Sequence, residues 1–158
     1  MMANIRLLRV DSRLGHGKTI REILKKYDLE KVIFANDKLS EDEIRREVVG
    51  LTVPDEADAN FLKVSEVKNF LEKNTGDYFL IVQNTEDLEK IIDEGNEIEE
   101  INIGIIHMSF GKKSLTEMVA ADDEDLRIFR KLSDLGLDVY IRKEITDHKR
   151  PIEDFLRK

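Results

Sequence analysis

The chain has 158 residues, 41% of them hydrophobic, which suits one compact domain over 1–158 with a single core. A formal net charge of −8 excludes a broad phosphodiester-binding surface, so no nucleic-acid partner is expected. Cysteine is absent, no apolar run reaches membrane-span length, and arginines interrupt any leader pattern in Met1–Val10; a cytoplasmic location without disulfide or thiolate chemistry is expected.

In chain order, Ile5, Leu7, Leu8 and Val10 read as a first strand. After a glycine-flanked loop, Ile20, Ile23, Leu24 and Tyr27 fall at helical spacing. Lys31–Asn36 reads as a buried strand, and Ser40 with Glu43 as a capping box opening a helix that runs to about Val49. Pro54–Ala59 is expected as loop and Phe61–Val64 as a short strand. Ser65 is expected to cap a helix carrying Val67, Phe70 and Leu71, stopped by Asn74–Gly76. Tyr78–Val82 is apolar throughout, the pattern of a strand covered on both faces. Asn84–Thr85 caps a helix with Leu88, Ile91 and Ile92 that ends at Gly95, and Ile98–Ile103 is a further strand.

Beyond it the rhythm changes. Gly104–Ala121 has the glycines and short apolar pieces of a hairpin or irregular strand pair. Asp122–Asp125 suit a helix N-terminus, with Leu126, Phe129, Leu132 and Leu135 following and Gly136 ending the helix. Leu137, Val139 and Ile141 alternate as a strand, and Pro151 opens a final helix with Ile152, Phe155 and Leu156. Repeated strand–helix units predict an α/β fold. Its sheet is open, mostly parallel and twisted, with helices on both faces and a late antiparallel strand or hairpin. Ligands in such sheets bind at the carboxyl ends of the strands, where the strand order reverses, and the loop after the first strand is a natural occupant of that place.

That loop is Arg9-Val10-Asp11-Ser12-Arg13-Leu14-Gly15-His16-Gly17-Lys18-Thr19. From Arg6 to Lys26 there are seven basic residues (6, 9, 13, 18, 21, 25, 26) against two acidic (11, 22), a local +5 that leaves −13 for the remainder. A small basic island in an acidic chain suits a compact anion such as a phosphoryl group. Lys18, a cation in a first helical turn, opposes the helix dipole unless an anion offsets it. His16 is the candidate nucleophile, because imidazole is substantially unprotonated near neutral pH. Arg13 can neutralise charge on a transferring phosphoryl group, the amides at Gly17 and Lys18 together with Ser12 can bind its oxygens, and Asp11 can orient the imidazole or the loop.

Other chemistries remain open from these residues. Gly17-Lys18-Thr19 matches the end of a Walker A motif, but Ser12 stands where that motif needs its first glycine, and Asp37 is a weak candidate for holding magnesium. The three histidines, His16, His107 and His148, have no metal-ligand spacing, so no metal is expected. Gly15-His16-Gly17 lacks the third glycine of a dinucleotide loop.

The stretch Arg9–Gly17 resembles the phosphorylation loop of the EIIB components of the mannose/fructose/sorbose class of the sugar phosphotransferase system, which typically reads Arg-Ile/Val-Asp-x-Arg-Leu-Ile-His-Gly-Gln-Val. The resemblance covers nearly the whole chain: Phe34-Ala35-Asn36-Asp37 and Asn102-Ile103-Gly104 are similar to later family segments, and the helix from Asp125 to Gly136 and the strand Leu137–Arg142 have the family's spacing. It implies a protein-phosphohistidine–sugar phosphotransferase subunit. His16 would accept a phosphoryl group at Nδ1 from phosphorylated EIIA and pass it to a sugar bound by membrane EIIC and EIID. The subunit would need no cofactor and would sit peripherally on the permease. Gly15 replaces a branched aliphatic residue of the family pattern, Lys18 and Thr19 replace Gln-Val, Ile23 a frequent tryptophan, and Ile105 a second glycine. A regulatory domain of the same fold that never accepts phosphate, or a P-loop-like nucleotide-binding protein, are the alternatives.

Overall fold

The structure is a computed structural model that describes residues 2–156. Met1, Arg157 and Lys158, which the sequence reading places in the domain, lie outside the described residues. The strands are β1 (Asn4–Asp11), β2 (Lys31–Ala35), β3 (Asp58–Leu62), β4 (Asp77–Val82), β5 (Ile101–Ile105), β6 (Lys113–Ser114), β7 (Ala120–Ala121), β8 (Val139–Ile141) and β9 (Arg150–Pro151). Seven of them form one sheet in the order β3-β2-β4-β1-β5-β8-β9. Neighbours are parallel except for β9, which runs antiparallel to β8; β6 and β7 form a separate antiparallel hairpin. This is the expected fold class.

Six helices cover the two faces: α1 (Gly17–Tyr27), α2 (Asp37–Glu41), α3 (Glu43–Gly50), α4 (Val67–Lys73), α5 (Thr85–Asp93) and α6 (Asp123–Asp134). The alternation of β1 divides the core between them. Leu8 and Val10 join Val67, Leu71, Leu88, Ile91, Ile128, Phe129 and Leu132 from α4, α5 and α6. Leu7 points the other way and joins Ile20, Ile23 and Leu24 of α1 with Leu39 of α2. Connections that run toward β3 thus place their helices on one face, and those toward β9 on the opposite face, as right-handed crossovers require. The chain leaving β1 heads for the first face, while those leaving its neighbours β4 and β5 head for the second. The β1–α1 loop therefore stands at a topological switch point.

Local chemistry explains the boundaries. Lys25 and Lys26 occupy the last turn of α1, favourable at the negative end of the dipole. Asn84 caps α5 by accepting from the Asp87 N–H, and Asp122 and Asp125 form a reciprocal capping box on α6. Several boundaries differ from the sequence reading. The single helix from Ser40 is instead two short helices, α2 capped by Asn36 and α3 capped by Asp42, because both Asn36 and Asp42 offer oxygens to an amide three residues on. Ser40 lies inside α2 and donates to the Asp37 carbonyl. β3 starts at Asp58, three residues before the expected Phe61, and pairs along its length with β2. The turn expected to be capped by Ser65 is a 3-10 turn over Val64–Glu66 that leads into α4, with the Glu66 carboxylate accepting from the Lys63 N–H. β5 begins at Ile101 and includes Gly104, with Ile98 making an isolated bridge to Ile5. Pro151 ends β9, and Ile152–Phe155 is a 3-10 turn rather than a final α-helix.

Candidate functional site

β1 is a central strand, yet it carries Arg9 and Asp11, each only 2% exposed. Both lie on the same face as Leu7, toward α1. Burying charge in a sheet is costly unless the groups pair, and here they do. The Arg9 Nε donates to Asp11 Oδ2 at 3.2 Å, and its Nη1 donates to Asn102 Oδ1 at 2.7 Å and to the Arg142 carbonyl at 3.2 Å. Asn102, on the adjacent strand β5, donates in turn to the same Arg142 carbonyl. Among the described residues, Nη2 of Arg9 is the one buried side-chain polar atom without a hydrogen-bond partner. Burial lowers the Arg9 pKa, opposed by Asp11, but a guanidinium stays charged at any working pH.

Asp11 is the hub. It also accepts from the Arg13 backbone N–H at 2.9 Å, Arg13 Nε at 3.0 Å and Arg13 Nη2 at 2.9 Å. Burial by itself would raise its pKa; the Arg13 hydrogen bonds and the Arg9 cation outweigh that and hold the carboxyl below its ordinary value. Arg13 Nη2 reaches on to Thr19 Oγ1 at 3.3 Å, and Thr19 Oγ1 lies 3.3 Å from His16 Nδ1. One chain of contacts thus runs from the sheet through Asp11, Arg13 and Thr19 to His16.

The loop between β1 and α1 is a tight turn. Leu14 N–H donates to the Asp11 carbonyl and Gly15 N–H to the Arg13 carbonyl. Leu14 has a left-handed backbone, φ 59°, at a cost of ~1–2 kcal/mol that burial of its side chain, worth ~2 kcal/mol, offsets. Gly15 lies against α3: a Cβ there would come within 3.0 Å of Val49 Cγ1 and Thr52 Oγ1. His16 then precedes α1 and gives it no side-chain cap; the first intrahelical bond is from Ile20 N–H to the His16 carbonyl. The N–H groups of Gly17, Lys18 and Thr19 are left beside an exposed imidazole at the positive end of an eleven-residue helix with no acidic residue in its first turn. Such an arrangement suits an anion, with an imidazole at its edge.

The His16 pKa is lowered, first by partial desolvation and then by the Arg13 cation, with Asp11 and Glu144 opposing. A lowered value means the neutral ring persists to lower pH. The rate at which His16 accepts an electrophile is therefore expected to reach half its plateau value at a pH below 6.5. A rate–pH profile with its midpoint at or above 6.5 would contradict this.

The sequence reading named Asp11, Ser12, Arg13, His16, Gly17 and Lys18. The structure brings Asp11, Arg13 and His16 into one array. Ser12 is engaged otherwise: its hydroxyl donates to the Ile105 carbonyl and accepts from the His107 N–H, tying the loop to β5. Lys18 is exposed and makes no ion pair among the described residues. His107 and His148 are both exposed, and among the described residues no group of three or more His, Cys, Asp or Glu side chains is placed to hold a metal ion. Asp37 accepts from the Val64 N–H, holding α2 to the chain after β3.

Arg9, Asn102 and Gly104 were missed as site residues, and Thr19 entered only as a loop hydroxyl and in the Walker A alternative. For Arg9 and Asn102 the signal was polar character inside apolar strand runs, Arg9 between Leu8 and Val10 and Asn102 between Ile101 and Ile103. Gly104 makes room for Arg9: a Cβ there would stand 2.2 Å from Arg9 Cζ. Gly104→Ala is expected to displace the buried guanidinium and to destabilise by about 2 kcal/mol, read as a lower denaturation midpoint. An unchanged midpoint would mean Arg9 is not confined as described.

Fold and site together define a class: a doubly wound α/β protein that presents an exposed histidine on its switch-point loop, backed by an Arg–Asp–Arg array whose Arg9 and Asp11 are buried. The chain belongs to the PTS system sorbose subfamily IIB component family, whose model matches residues 5–158. It is 27% identical over 157 residues to the mannose-specific EIIAB component of Escherichia coli K12, covering 98% of this chain and 49% of that protein. The chain thus spans about half the length of those mannose-specific relatives. It is 25% identical to the fructose-specific EIIB component of Bacillus subtilis, covering 99% of this chain and 96% of that protein. Among solved structures, the IIBSor domain of the sorbose permease from Klebsiella pneumoniae superposes with a TM-score of 0.88 at 27% identity, covering 97% of this chain and 96% of that one. The N-acetylgalactosamine-specific IIB component 1 of E. coli gives 0.88 at 27% identity, covering 93% and 98%.

Proposed function

We propose that the chain is a phosphoryl carrier of a sugar phosphotransferase system, one EIIB-like domain over 1–158. His16 accepts a phosphoryl group from a phosphorylated EIIA partner and passes it to a sugar held by membrane EIIC and EIID. The observation that carries this reading is the exposed His16 imidazole set beside the unpaired amides of Gly17–Thr19, with Arg13 held next to it by Asp11. The amides and Arg13 bind the equatorial oxygens as charge develops on them, and they are already in place before the reaction. Lys18, free and exposed, adds a cation at the entrance; Ser12 contributes by fixing the loop. The phosphoryl energy arrives stored in the donor, so no cofactor is called for.

A carrier must meet protein partners, and the surface beside the loop suits that. α3, whose Val49 lies against Gly15, exposes Ile44 and Val48, and Leu51 just beyond its end is exposed too. The EIIA and EIIB names combined in the E. coli relative support an EIIA-type donor for this face. No described helix is long and apolar enough to cross a membrane, which agrees with a subunit that works peripherally on a permease.

The test is intact-mass analysis after incubation with phosphoenolpyruvate, enzyme I, HPr and a cognate EIIA, with MgATP alone as a parallel arm. One acid-labile phosphoryl adduct, mapped to His16 and dependent on the relay, is expected. An adduct on another residue, or a relay arm without adduct beside nucleotide retained in the MgATP arm, would overturn the proposal.

A further inference from the structure

Thr19 is the residue of the loop that the reading above leaves without a task. It is 6% exposed, and its hydroxyl has two neighbours, Arg13 Nη2 and His16 Nδ1, each at 3.3 Å. A guanidinium has donors and no acceptor, so Thr19 Oγ1 accepts from Arg13. The hydroxyl proton then needs an acceptor of its own, because a buried donor left unpaired is penalised. Among the described residues, the one placed to take it is His16 Nδ1. Were Nδ1 protonated instead, Thr19 would accept from both sides and its own proton would be stranded.

We propose that Thr19 fixes the tautomer of His16, holding the resting ring with its proton on Nε2 and the lone pair of Nδ1 as the nucleophile. Thr19 is in this sense a positioning residue. The inference rests on His16 being the phosphoryl acceptor only for its consequence, not for the tautomer itself. The contact is long and bends easily, so the hydroxyl can swing aside as the electrophile arrives. In the transfer, the Nδ1 pair forms the new N–P bond while the donor's N–P bond breaks. The electron pair of the broken donor bond returns to the donor nitrogen, which leaves as neutral imidazole with the proton already on its far nitrogen. His16 keeps its proton on Nε2 throughout, so no proton has to cross the site during the step. Once Nδ1 carries phosphorus it no longer accepts, and the freed hydroxyl proton of Thr19 is next to the phosphoryl oxygens.

The charge environment agrees. Arg13 stands on the Nδ1 side through its bond to Thr19, where a second proton on that nitrogen would be repelled, and Asp11 is occupied by Arg9 and Arg13 rather than turned to the ring. The opposing carboxylates facing His16 are Asp11 itself and Glu144.

The experiment is nitrogen-15 NMR of the His16 ring in the full chain without any donor, for the wild type, Thr19→Val and Thr19→Ser. The valine is nearly the same shape without the hydroxyl; the serine keeps it. The wild type and Thr19→Ser are expected to show Nε2–H alone. Thr19→Val is expected to show a mixture of tautomers and an upward shift of the His16 titration. With a phosphorylated EIIA, Thr19→Val is expected to accept phosphate about 5-fold more slowly, the worth of one hydrogen bond, with unchanged donor KM, and Thr19→Ser to restore the rate. An Nδ1–H ring in the wild type, or a Thr19→Val spectrum identical to the wild type, would overturn the proposal whether or not His16 is phosphorylated. A wild type with the Nε2–H ring that takes no phosphate from the relay would instead overturn the carrier reading and leave the tautomer assignment standing.

Discussion

His16→Gln is expected to abolish phosphoryl labelling by the relay while leaving the fold unchanged. Glutamine has an amide of similar polarity but no ring nitrogen lone pair able to attack phosphorus, so the loss should be complete rather than graded. The fold should not notice. His16 is exposed, it makes no capping bond to α1, and among the described residues its side chain has one hydrogen-bonding neighbour, Thr19 at 3.3 Å. Exposed positions of this kind usually change stability by no more than about 0.5 kcal/mol. Intact-mass analysis and a denaturation curve on the same preparation separate the two readouts. Labelling that persists in His16→Gln would assign the phosphoryl group to another residue.

Asp11→Asn has the opposite balance and should damage both fold and chemistry. The substitution keeps the shape but removes the one carboxylate shared by Arg9 and Arg13, leaving the 2% exposed Arg9 guanidinium without its ion-pair partner. Breaking a buried pair in this way costs about 3–5 kcal/mol, a large share of the ~5–15 kcal/mol that holds a domain folded. The pH dependence follows from the sign of the Asp11 shift. Its folded-state pKa is lowered, so its contribution is present above the ordinary carboxylate range and is lost as pH falls through the folded value. The gap between wild type and Asp11→Asn in urea should therefore be full at pH 7 and shrink toward pH 3. Transfer should fall as well, because the asparagine keeps only one acceptor oxygen, so Arg13 loses one of the two side-chain bonds that aim it beside His16. Equal stability at pH 7 would refute the hub role of Asp11.

Much of this was legible in the chain itself. Period-2 and uniformly apolar runs marked β1, β2, β4 and β8, and helical spacing marked α1, α5 and α6, the last two with capping oxygens as well. Other short elements were less readable. Around Ser40 three oxygen-bearing residues, Asn36, Ser40 and Asp42, compete as caps, and only the seating of Leu39 in the core and the hold of Asp37 on Val64 select two helices over one. β3 extends to Asp58 because β2 pairs with it, a reason external to its own sequence. Ile152–Phe155 stays a 3-10 turn where the apolar spacing suggested an α-helix.

The same division holds at the site. The glycine-flanked histidine, the aspartate two residues after Arg9, and the arginine two further on are facts of sequence, and their order after a strand and before a helix determined where they would sit. Tertiary structure alone decided what each touches. The pairing of β1 with β5 sets Arg9 against Asn102, and the missing side chain of Gly104 admits its guanidinium. Burial of Arg9 and Asp11 makes their pairing obligatory, the tight turn at Leu14 brings Arg13 back onto Asp11, and the first turn of α1 sets Thr19 between Arg13 and His16. Ser12 was drawn to β5 instead. The sequence determined which reactive groups would share one loop; which of them touch follows from strand register and burial, which bring together residues more than ninety positions apart.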